Sequence, residues 1–125
     1  MGKPEPPCHS FIMQNHRLVL PEHMNHFGFL FGGYLLKWVD EFAWMAASLE
    51  YPGCSFVTVG MNEVAFRQSV QSGAILRFET SRLKQGNTSA TYQVKVFLED
   101  AVIFSTEVTQ VRLDESGKKQ SLPKP

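Results

Sequence analysis

A proline-free run of about twenty residues from Phe31 to Glu50, FGGYLLKWVDEFAWMAASLE, most restricts how this chain folds. Its residues are mostly helix-compatible, and Tyr51-Pro52-Gly53 supplies a stop signal, so the run predicts one long helix. The apolar positions Leu35, Leu36, Trp38, Val39, Phe42, Ala43, Trp44, Ala46 and Ala47 go almost all the way round. That pattern predicts a helix covered on most sides rather than one lying on a surface. Two glycines, Gly32 and Gly33, stand at its start, and the acidic pair Asp40-Glu41 falls in its middle. A chain of 125 residues favours a single domain with one real core, so the helix is expected to be central.

The remaining segments supply the cover. FIMQNHRLVL is a strand candidate ended by Pro21, and a polar loop, PEHMNH, leads to the glycines. Beyond the helix the period changes to two. SFVTVGMNEVAF, AILRFETSRLK, TSATYQVKVFLE and AVIFSTEVTQVRL read as strands, with Tyr92, Val94, Val96 and Leu98 on one face. Gly86-Asn87 and Glu99-Asp100 suit hairpins. The expected class is α+β, a mostly antiparallel sheet of five to six strands wrapped around one helix. Residues 1–10 read as a flexible leader, 11–113 as the domain and 114–125 as a polar tail with little to bury.

Twelve basic and twelve acidic side chains cancel, so no global field draws the chain to nucleic acid or an anionic membrane. Lys37, Asp40 and Glu41 interrupt the longest apolar run, which argues against a membrane span. The N-terminus lacks the apolar stretch of a signal peptide. Cys8 and Cys54 form no CxxC pair, and His9, His16, His23 and His26 show no metal-ligand spacing. The expectation is a reduced, cytoplasmic protein without metal.

PEHMNHFGFLFGGYLLKWVDEFAWMAA, followed by VTV, FRQSVQSG, KQGNTS and VRLDESGK, resembles the acyl-CoA hydrolase branch of the hotdog-fold thioesterases, in order from Pro21 to Lys118. The most specific part is the succession Asn25, Gly28, Phe31-Gly32-Gly33 and Asp40. The resemblance implies hydrolysis of an acyl-CoA thioester to a carboxylic acid and free CoA, with no cofactor beyond the CoA of the substrate. It also implies a double-hotdog homodimer, expected to assemble further as a trimer of dimers. Where relatives carry Asn-Gly-Asp before FGG, this chain has Phe27-Gly28-Phe29, and Ser69 and Gly73-Ala74 replace a proline and a Gly-Asp. The first change makes the mouth of the site more apolar.

The residues themselves point the same way. A helix N-terminus offers unpaired N–H groups and the positive end of the dipole, and glycine permits close approach. Gly32 and Gly33 are therefore candidates to hold the oxyanion of a thioester intermediate, or else only allow tight packing where loop meets helix. Asp40 is the candidate base or nucleophile, and Asn25 the candidate to position water or the carbonyl. The plain alternatives are an Asp40–Lys37 pair and a turn capped by Asn25. Seven residues separate Gly33 from Asp40, about 10 Å along a helix, whereas an aspartate reaches back about one turn. A site shared between two chains follows.

For the CoA moiety the candidates are Lys84, Gly86, Asn87, Thr88 and Ser89 in the KQGNTS hairpin, with Arg67, Arg82 and Thr58. Two rival functions remain open. His26 and Asp40 resemble the histidine-then-acid order of hotdog hydroxyacyl dehydratases, although the prolines of HFPGxPxxPG are missing. A domain of this kind could also bind acyl-CoA as a sensor without turnover.

Overall fold

The computed structural model describes residues 12–62 and 65–123; the leader expectation for residues 1–10, with Cys8 and His9, lies outside them. Strand β1 (Ile12–Leu18) is followed by a 3-10 turn (Pro21–His23), helix α1 (Gly32–Glu50) and strands β2 (Ser55–Asn62), β3 (Ile75–Gln85), β4 (Ser89–Leu98) and β5 (Ala101–Leu113). The sheet order is β1-β3-β4-β5-β2, and every neighbouring pair is antiparallel. Proline ahead of the helix and a Pro-Gly stop after it delimit α1, and the short β3–β4 and β4–β5 turns, of three and two residues, make those strands antiparallel neighbours.

Side-chain parity decides which face is inside. Leu76, Phe78, Thr80 and Arg82 of β3 point inward, as do Tyr92, Val94 and Val96 of β4 and Phe104, Thr106, Val108 and Gln110 of β5. Against this face α1 lays Leu35, Trp38, Val39, Phe42, Ala43, Ala46 and Ala47. The alanines let the helix sit close to the sheet, while Trp38 and Phe42 meet the Phe78 ring at 6.4 and 4.9 Å between centroids. Burying each such large side chain contributes about 1.5–3 kcal/mol.

The sheet has only one concave face, so it covers only one side of α1. Trp44, Met45 and Leu49 remain exposed, and so do Val57 and Val59 on the edge strand β2. The expectation of a helix covered on most sides is therefore met within one protomer on the sheet side alone. This leaves several large apolar side chains exposed on the side away from the sheet.

The C-terminal segment differs from the expected polar tail. Asp114 Oδ1 accepts from the Ser116 and Lys118 amides and so closes a turn. The chain then runs back beside β5, with the Gln120 amide donating to the Arg112 carbonyl. Leu122 joins the core at 6% exposure, and its amide donates to the Asn87 carbonyl. One leucine among polar residues suffices to dock the segment, a signal too short for composition to register.

Candidate active site

The loop ahead of α1 is held by its own polar groups. Asn25 Oδ1 accepts from the Phe27 and Phe29 amides at 2.9 and 3.1 Å, and the Asn25 amide donates to the Phe29 carbonyl. Gly28 takes φ +84°, the left-handed conformation that glycine adopts without strain. The turn-capping role weighed for Asn25 is thus real, and it uses the oxygen; among the described residues no acceptor pairs with its Nδ2. His23 fastens the loop to the helix. It is buried, its Nδ1 accepts from the Leu20 amide, its carbonyl accepts from the Phe31 amide, and its ring packs on Tyr34 and Trp38.

Phe31 is the N-cap and brings no side-chain acceptor. A serine or aspartate there would accept from the first-turn amides; phenylalanine cannot. Its carbonyl takes the Tyr34 and Leu35 amides, while among the described residues the Gly32 and Gly33 N–H groups find no acceptor. The two glycines differ. A Cβ on Gly32 would lie 2.9 Å from Cζ of Phe66, whereas one on Gly33 would meet nothing in the protomer. Gly32 serves the packing of Phe66, and Gly33 is open on its outer side. Beside them lies a cleft of about 510 Å³ lined by Asn25, Phe29, Gly32, Leu35, Phe66 and Arg67 among others.

Asp40 sits further along α1, half-buried, in a second cleft with Trp44 and Thr58. Its Oδ1 accepts from the Thr58 hydroxyl at 2.5 Å, and Thr58 Oγ1 accepts from Nε2 of the fully buried Gln110 at 2.6 Å. Thr58 faces Gln110 across β2 and β5, just before the bulge that breaks the β2 register ahead of Gly60. Each donor fixes the next acceptor, so the carboxylate is oriented by a chain anchored in the core. The plain alternative, an Asp40–Lys37 ion pair, is absent among the described residues. Thr58, expected to touch substrate, hydrogen-bonds to Asp40 and so sets its orientation.

The CoA candidates separate. Arg67 lines the first cleft beside Asn25 and Gly32. The hairpin bearing Lys84, Gly86, Asn87, Thr88 and Ser89 lies at the opposite end of α1, where the Tyr51 hydroxyl donates to Gln85 at 2.5 Å. The Gly86 amide, expected to face phosphate, donates to the Ser89 carbonyl at 2.7 Å, and the Asn87 and Thr88 carbonyls accept from Leu122 and Arg112. Arg82 is a correction: it is buried, 3.2 Å from Glu50 Oε2 and bonded to Tyr51 and Gln85, and so does not face solvent phosphate. His26 is exposed and stacked on Phe27. No group of three metal-binding side chains occurs among the described residues.

Residues 27–104 match the thioesterase superfamily. The chain belongs to that family. Acyl-coenzyme A thioesterase 11 of Mus musculus is 34% identical over 88 residues, which cover 70% of this chain but only 15% of the mouse protein. This superfamily member also superposes on an apo-hexameric acyl-CoA thioesterase with TM-score 0.82 and 31% identity, covering 90% of this chain and 75% of the other. The acyl-CoA hydrolase of Staphylococcus aureus, solved with butyryl coenzyme A and coenzyme A, gives TM-score 0.79 and 28% identity over 90% of this chain and 69% of that one. That hydrolase has also been solved with an asparagine, a threonine and an aspartate separately replaced by alanine. The fold is the hotdog arrangement implied by the resemblance.

Gln110, Phe66 and His23 were not singled out in the sequence. Gln110 shares parity with Phe104, Thr106 and Val108, which marks it as an inward polar residue needing a partner. Phe66 and His23 carry no comparable signal, because each acts through a loop whose path only the fold defines.

Proposed function

We propose that this superfamily member is an acyl-CoA thioesterase that works as a homodimer, with each site built from both subunits. The observation that carries the reading is the half-buried Asp40, held by Thr58 and Gln110 and lying seven residues from the open Gly33 amide on the same helix. The thioester carbonyl oxygen lodges against the Gly32 and Gly33 N–H groups at the positive end of α1, where charge developing on oxygen is stabilised by ~3 kcal/mol per donor. Asn25 Nδ2 is a further donor beside them. Asp40 of the partner subunit takes a proton from water as the water oxygen bonds to the carbonyl carbon; the C–S bond then breaks and the thiolate receives the proton. Direct attack by that carboxylate, giving an anhydride that water opens, forms the same acid and thiol. A single turnover in isotopically labelled water separates the routes, because only the second can leave label in Asp40.

A two-fold arrangement that sets Gly33 opposite the partner's Asp40 makes the two helices antiparallel. The partner's Glu50 then projects about 15 Å beyond Gly33, and its Lys84–Ser89 hairpin follows, on the scale of an extended pantetheine arm. Lys84 and the Asn87, Thr88 and Ser89 side chains are thereby assigned to the CoA phosphates. Arg67 is assigned to the thioester end. The strip of Trp44, Met45, Leu49, Val57 and Val59 supports the dimer, since apolar surface of this kind favours burial against a second copy. A trimer of dimers is the further assembly we assign, by analogy with the hexameric neighbour. The reaction requires no cofactor beyond the CoA of the substrate.

Release of CoA thiol from a panel of acyl-CoAs, with Asp40→Asn assayed alongside, tests the reading. Turnover by the native chain that disappears in a folded Asp40→Asn variant is expected; absence of turnover on every member contradicts it.

A further inference from the structure

Phe66 stands over the start of the helix. Its Cζ would lie 2.9 Å from a Cβ on Gly32, its ring rests on Phe104 at 5.3 Å between centroids, and half of its surface is exposed. Phe29, 39% exposed, lines the same cleft of about 510 Å³, a volume ordinary for a small-ligand site. Leu35 and Val70, both of the core, give the cleft an apolar inner side, while Asn25, Arg67, Gln68 and Ser69 make the rest of its lining polar. Any group bonded to a carbonyl at the Gly32 and Gly33 amides and directed toward this protomer's core therefore passes Phe29 and Phe66 and ends against Leu35 and Val70. The charged phosphates of CoA find no countercharge on Leu35 and Val70, so that inner side suits the acyl chain better. The CoA arm is assigned to the side where Gly33 is open.

We propose that Phe66 is the specificity-determining residue of this site: with Phe29 it forms the aromatic walls of the acyl pocket and limits substrates to short- and medium-chain or arylacyl thioesters. The inference rests on the thioesterase reading. The half-exposed ring is held through Phe104, so changing it reshapes the pocket at the cost of that one core contact. The smaller Phe66→Ala leaves a gap for further methylenes, and the larger Phe66→Trp shortens the path. Each methylene accommodated or refused changes discrimination by about tenfold or more.

The experiment measures kcat/KM for straight-chain acyl-CoAs from butyryl to hexadecanoyl and for phenylacetyl-CoA, in the native chain, Phe66→Ala and Phe66→Trp. The native chain is expected to favour the shorter and arylacyl members. Phe66→Ala should raise the dodecanoyl-to-butyryl ratio by at least about tenfold, the worth of a single methylene, and Phe66→Trp should lower it. Native turnover that Asp40→Asn abolishes, with this ratio unmoved in both Phe66 variants, overturns the inference and leaves the thioesterase reading standing. A uniform change across all chain lengths also overturns it, because that marks contact with the shared CoA arm. No turnover by the native chain overturns both.

Discussion

The Thr58 hydroxyl donates to Asp40 Oδ1 at 2.5 Å, and Gln110 in turn donates to Thr58. A carboxylate oriented in this way presents its other oxygen in a fixed direction, as a base or nucleophile must. Thr58→Val keeps the shape and removes the donor. It should lower kcat by about 10- to 100-fold, the worth of a hydrogen bond to a charged group, and lower the melting temperature by a few degrees, because Nε2 of the fully buried Gln110 loses its acceptor. Thr58→Ser should restore most of the rate.

The far end of α1 carries a buried ion pair. Arg82 Nε lies 3.2 Å from Glu50 Oε2, and both side chains are largely hidden from water. Removing one partner strands the other charge, so Arg82→Met should destabilise the fold by about 3 kcal/mol. The double variant Arg82→Met/Glu50→Gln should recover part of that loss. Urea unfolding of the single and double variants measures the coupling.

Tyr92 donates to Glu50 Oε1 at 2.6 Å. Burial, reinforced by that hydrogen bond, holds its pKa well above the ordinary tyrosine value. The folded chain therefore keeps a proton that the unfolded chain gives up near pH 10. Stability from this group is fully present below that pH and falls as pH rises above it. Chemical denaturation at alkaline pH should show the decline, and Tyr92→Phe should flatten it.

Leu122 ties the last described turn to the core and to the Asn87 carbonyl. Leu122→Ala should cost about 2–3 kcal/mol. Hydrogen exchange should also quicken at the Leu122 amide, which loses its anchor to the hairpin.

Much of this fold was legible because its signals are local. The helix begins one residue after Phe31 and ends at Glu50, where the proline-free run and the Pro-Gly stop place it. Tyr92, Val94 and Val96 are all fully buried, as their alternation required. The glycine pair and Asp40 could be picked out because a helix fixes their separation. Arg82 shares parity with Leu76, Phe78 and Thr80 and is buried with them, so strand periodicity, not guanidinium chemistry, decides where it points. The Thr58–Gln110 link is not legible in one dimension. It depends on the β2–β5 register and its bulge, which bring together residues 52 apart in sequence.

Complementation tests the shared site most directly. Asp40→Asn removes the acid, and Gly33→Val covers the helix N-terminus at a position where a Cβ meets nothing in the protomer. Each variant alone should be inactive. In a dimer containing one of each, one site carries both lesions and the other carries neither, so co-refolding equal amounts should restore about a quarter of native activity by random pairing of a two-fold dimer. Activity that stays at the level of the separate variants, although mixed dimers have formed, would mean that Gly33 and Asp40 do not act across the interface.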